Sequence, residues 1–390
     1  MTTMVGIGLD DHRDGVEVGR RAARAALADL GAQPVALALL FTSHPQPERV
    51  LKGANEILGP VALIGATTGG QYTHQGYVED GAGVLLIHSE HIHFHLMSHQ
   101  RRWFSGSKLL GSLRGISEQG LGSDFSQRAL LLFPDDRSMN LDSVVDRAMT
   151  ETGLLYDILG GPGLTVQEPP RPPAVFHNDR MLRSGLSGAE ILSQTPLGLS
   201  LANGWQPISG PYRVTRADER RIIELDGRPA REVYEDFIEA HNVEYPRGEL
   251  RRLLLQHPVG SCREGGICKV SVLMGIDNHG ALVTTSPPVK GTLIHILATG
   301  TDAMTTAAER AIQQSRSQLT GGPLAGALFI DCVSTGMVLG EAHAQQRAVV
   351  QQQLGDLPFL GFRSHGVLLR VQGQTTGHYE CSVATCIIPC

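Results

Sequence analysis

The sequence predicts a mixed α/β fold in two modules, each built from strand-helix-strand units whose mixed sheets are covered by helices. Short, continuous apolar runs such as 35–41 are typical of strands that are buried on both faces. Amphipathic helical segments alternate with these runs, and Gly or Pro residues mark most of the changes. Strands and helices that alternate along a chain favour α/β layering.

The first unit lies near the N-terminus. Segment 16–30 is Ala-rich with interleaved arginines, and Gly31 is placed to end it, so it is predicted to be an amphipathic helix. The other predicted elements follow in order: strand 35–41, a helix from Pro47 to Leu58, strand 61–64, the turn 65–70 and strand 83–88.

The same order of elements returns twice. The second unit is strand 129–133, helix 141–159, the turn 160–163 and strand 175–177. The third unit is strand 327–332, helix 341–354, strand 358–362, the turn 363–366 and strand 381–388. The spacing between equivalent points lengthens along the chain, so the repeat is either ancient or accidental and is not a solenoid of fixed period.

The length of 390 residues exceeds that of most single cores, so two domains are expected. A different stretch, 199–238, separates the second and third units. Its turn at Leu225-Asp226-Gly227 and the helix that Pro229 opens suggest a boundary near residue 210. The predicted domains are therefore 1–210 and 211–390, with the Pro-rich segment 168–173 as a stiff connector inside the first.

Composition excludes several classes of partner. The 33 basic and 39 acidic residues leave a net charge of -6 without long runs of either sign, which argues against nucleic acid and anionic membranes. The N-terminus lacks a leader pattern, and no apolar run approaches the roughly 18 residues of a membrane span, so a cytoplasmic location is expected. Six cysteines are too few for a disulfide scaffold, and a reducing compartment would keep them as buried thiols.

Several motifs together resemble one known family. They are 62–70, Val175-Phe176-His177-Asn178, Asn203-Gly204-Trp205-Gln206-Pro207, Val214-Thr215, 224–230, Val233-Tyr234, Asp331-Cys332, Leu339-Gly340-Glu341 and 358–366. Nearly the whole chain is similar to the FIST family, with an N-terminal and a C-terminal FIST module. The segment 203–207 is the most specific part, because it resembles the family's junction between the two modules.

The resemblance implies a sensory protein that binds a small molecule such as an amino acid. Its output would run through a separate signalling protein, for example a histidine kinase or a cyclic-dinucleotide enzyme. The chain departs from the family pattern at Gln71 and Val367, where an acidic residue is common, and at Thr335, where a basic residue is common. These departures favour a neutral or more apolar ligand.

Ligands of α/β sheets bind outside the carboxyl ends of the strands. Nine residues occupy such positions and are the predicted ligand-binding residues: Thr67, Thr68, Gly69, Cys332, Ser334, Thr335, Ser364, His365 and Gly366. The alternative is that they are only turn residues and a buried thiol, selected for backbone geometry.

A histidine cluster at His88, His91, His93, His95 and His99 has the period of a strand face, so zinc is one interpretation and a solvated edge strand the other. The second is preferred, and no metal site is predicted. The spacings of the Cys262/Cys268 and Cys381/Cys386/Cys390 sets do not match a zinc knuckle and favour packing roles, with Cys390 exposed and oxidisable.

Two other functions stay open. One branch of the family binds haem and senses nitric oxide, and His365 and His241 are the candidate axial ligands, although no cofactor is predicted. A thiol-dependent enzyme could use Cys332 with His365, although the sequence contains no phosphate loop, no H-E-x-x-H and no G-x-S-x-G motif. The preferred interpretation is a non-enzymatic sensor whose ligand shifts the arrangement of its domains.

Overall fold

The computed structural model describes residues 2–100, 109–111, 113–115, 125–135, 137, 140–164, 172–218, 220–243, 249–262, 266–286, 288–319, 321–371 and 376–390. These residues form three six-stranded sheets and one eight-stranded sheet, with helices packed against them. The predicted class, mixed sheets covered by helices, is confirmed. None of the helices in these ranges is both long and apolar enough to cross a bilayer.

Sheet A contains the first unit. In spatial order its strands are β1 (Thr3–Asp10), β6 (Ala82–Ser89), β2 (Leu37–Thr42), β3 (Leu63–Thr67), β10 (Val175–His177) and β11 (Arg180–Leu182). Strands β2 and β3 pair in parallel, and β6 runs antiparallel to β2. Helices α1 (Gly15–Leu30) and α2 (Pro47–Leu58) cover its outer face with an alanine- and leucine-rich layer. The predicted helices and strands of this unit are confirmed, with ends shifted by a few residues.

Sheet B contains the second unit except for its predicted strand 175–177, which is β10 of sheet A. Its strands are β25 (Thr376–Tyr379), β24 (Val367–Arg370), β9 (Asp157–Gly160), β8 (Gln127–Pro134), β12 (Gly185–Ser193) and β7 (Ile92–Gln100), and α3 (Leu141–Thr152) lies on its outer face. The predicted helix 141–159 is wrong beyond Thr152. Gly153 adopts the left-handed φ of 58° that ends the helix, and Leu159 belongs to β9.

Sheet C contains the third unit. Its strands are β13 (Gly198–Ala202), β26 (Val383–Pro389), β22 (Leu324–Cys332), β23 (Phe359–Ser364), β4 (Gln71–Thr73) and β5 (Gly76–Val78). Its helices are α6 (Thr301–Ser317), α7 (Val333–Leu339), the 3₁₀ turn Gly340–Ala342 and α8 (His343–Leu354). The predicted strand-helix-strand order is confirmed here, but α7 was not anticipated.

The three sheets exchange hairpins in a closed ring. Hairpin β4–β5 follows β3 of sheet A but pairs with β23 of sheet C. In the same way, β10–β11 follows β9 and pairs with β3, and β24–β25 follows β23 and pairs with β9. The sequence repeat is therefore a structural repeat. Strands from both sides of residue 210 share sheets B and C, and the boundary at that residue stays a prediction.

The inner faces of the three sheets meet in one apolar core. Phe41 stacks on Phe362 with ring centroids 3.9 Å apart and meets the edge of Phe133 at 5.2 Å. Each ring comes from a different sheet, and all three are fully buried. This contact holds the ring of three units together at its centre.

Sheet D is inserted between β13 and α6. Its strands are β18 (Lys269–Ser271), β17 (Val259–Ser261), β21 (Leu293–Ala298), β14 (Gln206–Asp218), β15 (Arg221–Leu225), β20 (Leu282–Thr284) and β19 (Leu273–Ile276), with β16 (Arg228–Pro229) beside β15. Helices α4 (Ala230–Ala240) and α5 (Leu250–Gln256) share an apolar core with it. The predicted turn at Leu225-Asp226-Gly227 is confirmed; segment 168–173 lies mostly outside the described residues.

Candidate functional site

The predicted ligand-binding turns lie at one end of the three-sheet body. Strand β3 ends at Thr67, and the parallel register of β22 and β23 sets Cys332 beside Ser364. The Gly69 amide donates to the Arg363 carbonyl at 2.8 Å, which joins the turn after β3 to β23. The structure thus brings the three predicted turns together across the ring of sheets.

Most polar groups of these turns form hydrogen bonds with other groups of the protein. The Thr67 hydroxyl donates to the Ala174 carbonyl at 3.2 Å, and the Ser364 hydroxyl donates to the Gly366 carbonyl at 2.5 Å. Gly366 has a left-handed φ of 84°. These contacts are those of ordinary turn residues, so a ligand-binding role for the nine residues stays a prediction.

A buried charged network adjoins these turns. His343 Nε2 lies 2.5 Å from Asp331 Oδ2, and Arg347 Nη1 lies 2.7 Å from His343 Nδ1. Since a guanidinium can only donate, Nδ1 must accept, and the imidazole proton must lie on Nε2 and point to Asp331. A neutral histidine therefore links a buried carboxylate to an arginine.

Several polar atoms beside this network have no hydrogen-bond partner among the described residues. They are Asp331 Oδ1, Thr335 Oγ1, both amide atoms of Gln346 and Arg363 Nε. Arg363 also donates to the Tyr77 hydroxyl at 3.2 Å and to the Val333 carbonyl at 3.3 Å. In the sequence, Asp331 and Arg363 stand out only as members of the family motifs. The i, i+4 spacing of His343 and Arg347 on one helix was the signal that could have found the others.

An open cavity of about 810 Å³ lies where sheet D meets sheet C. We call it the junction cavity. Its lining is formed by Asn203, Gly204, Trp205, Gln206, Pro207, Cys262, Gly266, Cys268, His295, Asp302, Ala303, Thr306, Ala307 and Arg310. The most family-specific motif thus forms one wall, and the N-terminal half of α6 forms another. The nine predicted residues do not belong to this lining.

Hydrogen bonds hold the junction wall in place. Asn203 Nδ2 donates to the Cys268 carbonyl at 2.9 Å and to Ser382 Oγ at 3.1 Å. Trp205 Nε1 donates to the Cys381 carbonyl at 3.2 Å. Both side chains are buried, so the segment between β13 and β14 is tied to sheet D on one side and to sheet C on the other.

The prediction that the cysteines are all thiols is wrong for one pair, because Cys262 and Cys268 form a disulfide. The cause is the hairpin register: Ser261 pairs with Lys269 across β17 and β18, so the next residue on each side is a cross-strand neighbour. A spacing of six residues does not show this register. Cys332, Cys381 and Cys386 are buried free thiols, and Cys390 is partly exposed.

The histidines occupy separate surroundings. Phe94 and Leu96 pack against the central core, while His95 lies 3.4 Å from buried Glu190. Burial lowers the pKa of His95, and nearby Arg114 lowers it further. Within the described ranges, no three His, Cys, Asp or Glu side chains come together as metal ligands.

The two candidate haem ligands lie apart from the junction cavity. His241 ends α4, where its ring lies 4.7 Å from Phe237, and His365 lies beside His378 at 6.4 Å. Neither histidine is among the residues that line the junction cavity, whose charged and amide side chains differ from the apolar pocket that haem needs. Haem binding at either histidine therefore stays a prediction.

Fold and cavity together define a three-unit α/β protein with an inserted sheet and a polar cavity at the junction. Family models for the FIST N domain and the FIST C domain match residues 36–228 and 230–366. The chain belongs to the FIST family, whose domains are associated with sensory and signal-transduction roles. That role is compatible with the prediction that the chain is not an enzyme.

Relatives match over nearly the full length. An uncharacterised protein of Mycobacterium tuberculosis is 23% identical over 390 residues, covering 96% of this chain and 97% of its own. An uncharacterised protein of Mycobacterium bovis is 21% identical over 394 residues, covering 96% of each chain. These names describe no ligand or partner, so the chemistry has to be argued from the site.

Proposed function

We propose that this protein is a sensor that binds a small ligand in the junction cavity and signals to a separate protein. The observation that carries the proposal is the cavity itself. Its volume of about 810 Å³ lies within the range of small-molecule sites, roughly 300–1,000 Å³. Its position between two packed bodies is also a frequent location of ligand sites.

The charges around the cavity indicate a ligand class. Asp302 and Arg310 both come from the cavity-facing side of α6, with Thr306 between them. Asp302 and Arg310 are two helical turns apart, or about 12 Å. Among the described lining residues, Asp302 and Arg310 contribute one charge of each sign, which suits a ligand without net charge. We therefore expect an amino-acid zwitterion or a neutral polar metabolite.

The walls of the cavity suggest how binding becomes a signal. One wall is the segment from β13 to β14, the second belongs to sheet D and the third is α6 on sheet C. A ligand that contacts all three favours the arrangement in which they are close together. A partner such as a histidine kinase or a cyclic-dinucleotide enzyme would read that change, as the sensory role of the family suggests.

A thermal-shift screen tests the ligand proposal. The probes are the twenty free amino acids, short-chain carboxylic acids and nucleosides, each added to the purified chain. Because selective binding to the native state stabilises it, at least one zwitterionic or neutral probe should raise the melting temperature. If none of them does, the proposed ligand class is wrong.

Two matched variants locate the binding site. Thr306→Trp places an indole in the cavity, whereas Gln314→Trp places one on an exposed part of the same helix outside it. We expect the ligand to raise the melting temperature of Gln314→Trp but not that of Thr306→Trp. An equal shift in both variants would mean that the ligand binds elsewhere.

A further inference from the structure

Buried polar atoms without a partner are concentrated at one end of sheet C. Within the described ranges, ten buried side-chain atoms have no hydrogen-bond partner, and five of them lie on β22, β23, α7 and α8. They are Asp331 Oδ1, Thr335 Oγ1, both amide atoms of Gln346 and Arg363 Nε. Because buried polar groups nearly always have a partner, this concentration indicates that a further group binds here.

Five side chains in this region form a closed series of contacts. Asp331 binds His343, and His343 binds Arg347. The Arg347 guanidinium lies 4.4 Å from the centroid of the Tyr77 ring, and Arg363 Nη1 donates to the Tyr77 hydroxyl at 3.2 Å. The series closes because Asp331 and Arg363 pair across the parallel strands β22 and β23. We call these five residues the two-arginine site.

Asp331 and Arg363 are neighbours that do not bond to each other. Paired residues of adjacent strands are about 5 Å apart and point to the same face of the sheet. Asp331 Oδ1 and Arg363 Nε nevertheless both lack a partner among the described residues. The other guanidinium nitrogens donate to Tyr77 and, at 3.3 Å, to the Val333 carbonyl. Gly336 of α7 lies against the same guanidinium, where a Cβ would come within 2.3 Å of Nη2. A carboxylate acceptor and a guanidinium donor therefore stay side by side and unbonded.

The charges of the site favour an anion. Burial raises the pKa of Tyr72, which lies beneath the site, and Asp331 raises it further, whereas Arg347 and Arg363 lower it. Two guanidinium groups and one carboxylate thus act on one region, and with the histidine neutral their net charge is 2 − 1 = +1. Arg347, Arg363 and Tyr77 are half-buried and form the solvent side, while Asp331 is fully buried behind them.

We propose that the two-arginine site binds a small oxyanion that carries a proton, with hydrogencarbonate as its simplest form. Its oxygens accept hydrogen bonds from the guanidinium groups of Arg347 and Arg363, and its O–H donates to Asp331 Oδ1. The anion enters on the solvent side, where the Arg347 side chain swings away from the Tyr77 ring. An anion without a proton is disfavoured, because it leaves Asp331 Oδ1 unpartnered and is repelled by it.

The bound anion connects elements from both halves of the chain. Tyr77 belongs to hairpin β4–β5, Arg347 to α8 and Arg363 to β23. None of the five residues lines the junction cavity, so the proposal does not rest on the ligand proposed there.

Isothermal titration calorimetry tests this site. The purified wild-type chain is titrated with sodium hydrogencarbonate, sodium nitrate and glycine at equal ionic strength and mildly alkaline pH. Nitrate is the matched probe, because it is planar and singly charged like hydrogencarbonate but has no proton to donate. We expect hydrogencarbonate to bind at least about tenfold more tightly than nitrate, since it forms one additional hydrogen bond to a charged group.

Three variants locate the binding. Arg363→Gln removes the Nε donor and one positive charge, so hydrogencarbonate binding should be lost. Arg24→Gln makes the same change of charge at an exposed position of α1 and should keep it. In Asp331→Asn, an amide donates where Oδ1 accepted, so the preference for hydrogencarbonate over nitrate should disappear. If Arg363→Gln does not fold, Arg347→Gln takes its place.

Four results would overturn the proposal. They are no binding of hydrogencarbonate, equal affinities for hydrogencarbonate and nitrate, tighter binding of glycine, and hydrogencarbonate binding that survives Arg363→Gln. The wild-type comparison of hydrogencarbonate with nitrate holds whether or not the variants fold. A negative thermal-shift screen would contradict the junction-cavity ligand and leave this site in place.

Discussion

Replacement of His343 by alanine tests the buried network most sharply. His343 is 4% exposed and joins Asp331 to Arg347 through bonds of 2.5 and 2.7 Å. Its loss leaves the fully buried Asp331 carboxylate without the His343 donor at Oδ2, while Oδ1 already has no partner among the described residues. Hydrogen bonds to charged groups contribute about 1.5–3 kcal/mol each.

We therefore expect His343→Ala to lower the free energy of unfolding by about 1.5–3 kcal/mol. Urea unfolding followed by circular dichroism measures the change. The matched control is His279→Ala, an exposed histidine whose loss should stay within about 0.5 kcal/mol. A cost below about 1 kcal/mol for His343→Ala would refute the view that the carboxylate depends on this contact.

Two further predictions concern the contacts between sheets. Phe362→Ala should lower the free energy of unfolding, measured in urea, by about 3–5 kcal/mol, because the Phe362 ring fills the centre of the three-sheet core. Phe362→Leu should lower it clearly less. Equal losses in the two variants would contradict a role for ring volume. Asp142 accepts from Lys269 Nζ at 2.7 Å, and although burial by itself raises its pKa, this contact and the His378 amide lower the pKa overall. A carboxyl group whose pKa is lower in the folded than in the unfolded protein stabilises the fold at pH values above its unfolded pKa of about 3.9. This stabilisation is lost as the pH falls through the folded pKa. The melting-temperature gap between wild type and Asp142→Asn should therefore be full above about pH 5 and shrink below about pH 4; a gap that does not vary with pH would contradict this.

The helices and strands of the first unit were predicted well, because the residues that mark their ends lie next to them in the sequence. Segment 47–58 begins with Pro47 and ends before Gly59, and the structure has α2 at Pro47–Leu58. The helix error at 141–159 has the opposite cause. Apolar residues continue through Leu154 and Leu155 to the strand Asp157–Gly160, so periodicity alone did not separate the helix from the strand that follows.

The ring of exchanged hairpins could not be predicted from one sequence. Strand β4 pairs with β23, almost three hundred residues further along, and a linear pattern holds no information on such a partner. The same limit hid the disulfide, which depends on the β17–β18 register. Segment 203–207 was quoted only as a family motif, since its role as a cavity wall depends on the packing of sheet D against α6.

Hydrogen–deuterium exchange tests the central claim, small-ligand binding in the junction cavity, most directly. The purified chain is compared with and without a mixture of free amino acids at millimolar concentration. The account predicts slower exchange at 203–207 and at the start of α6, because a ligand in the cavity stabilises both walls. Slower exchange at the turns near Thr68 and His365 alone, or no change in either region, would contradict it.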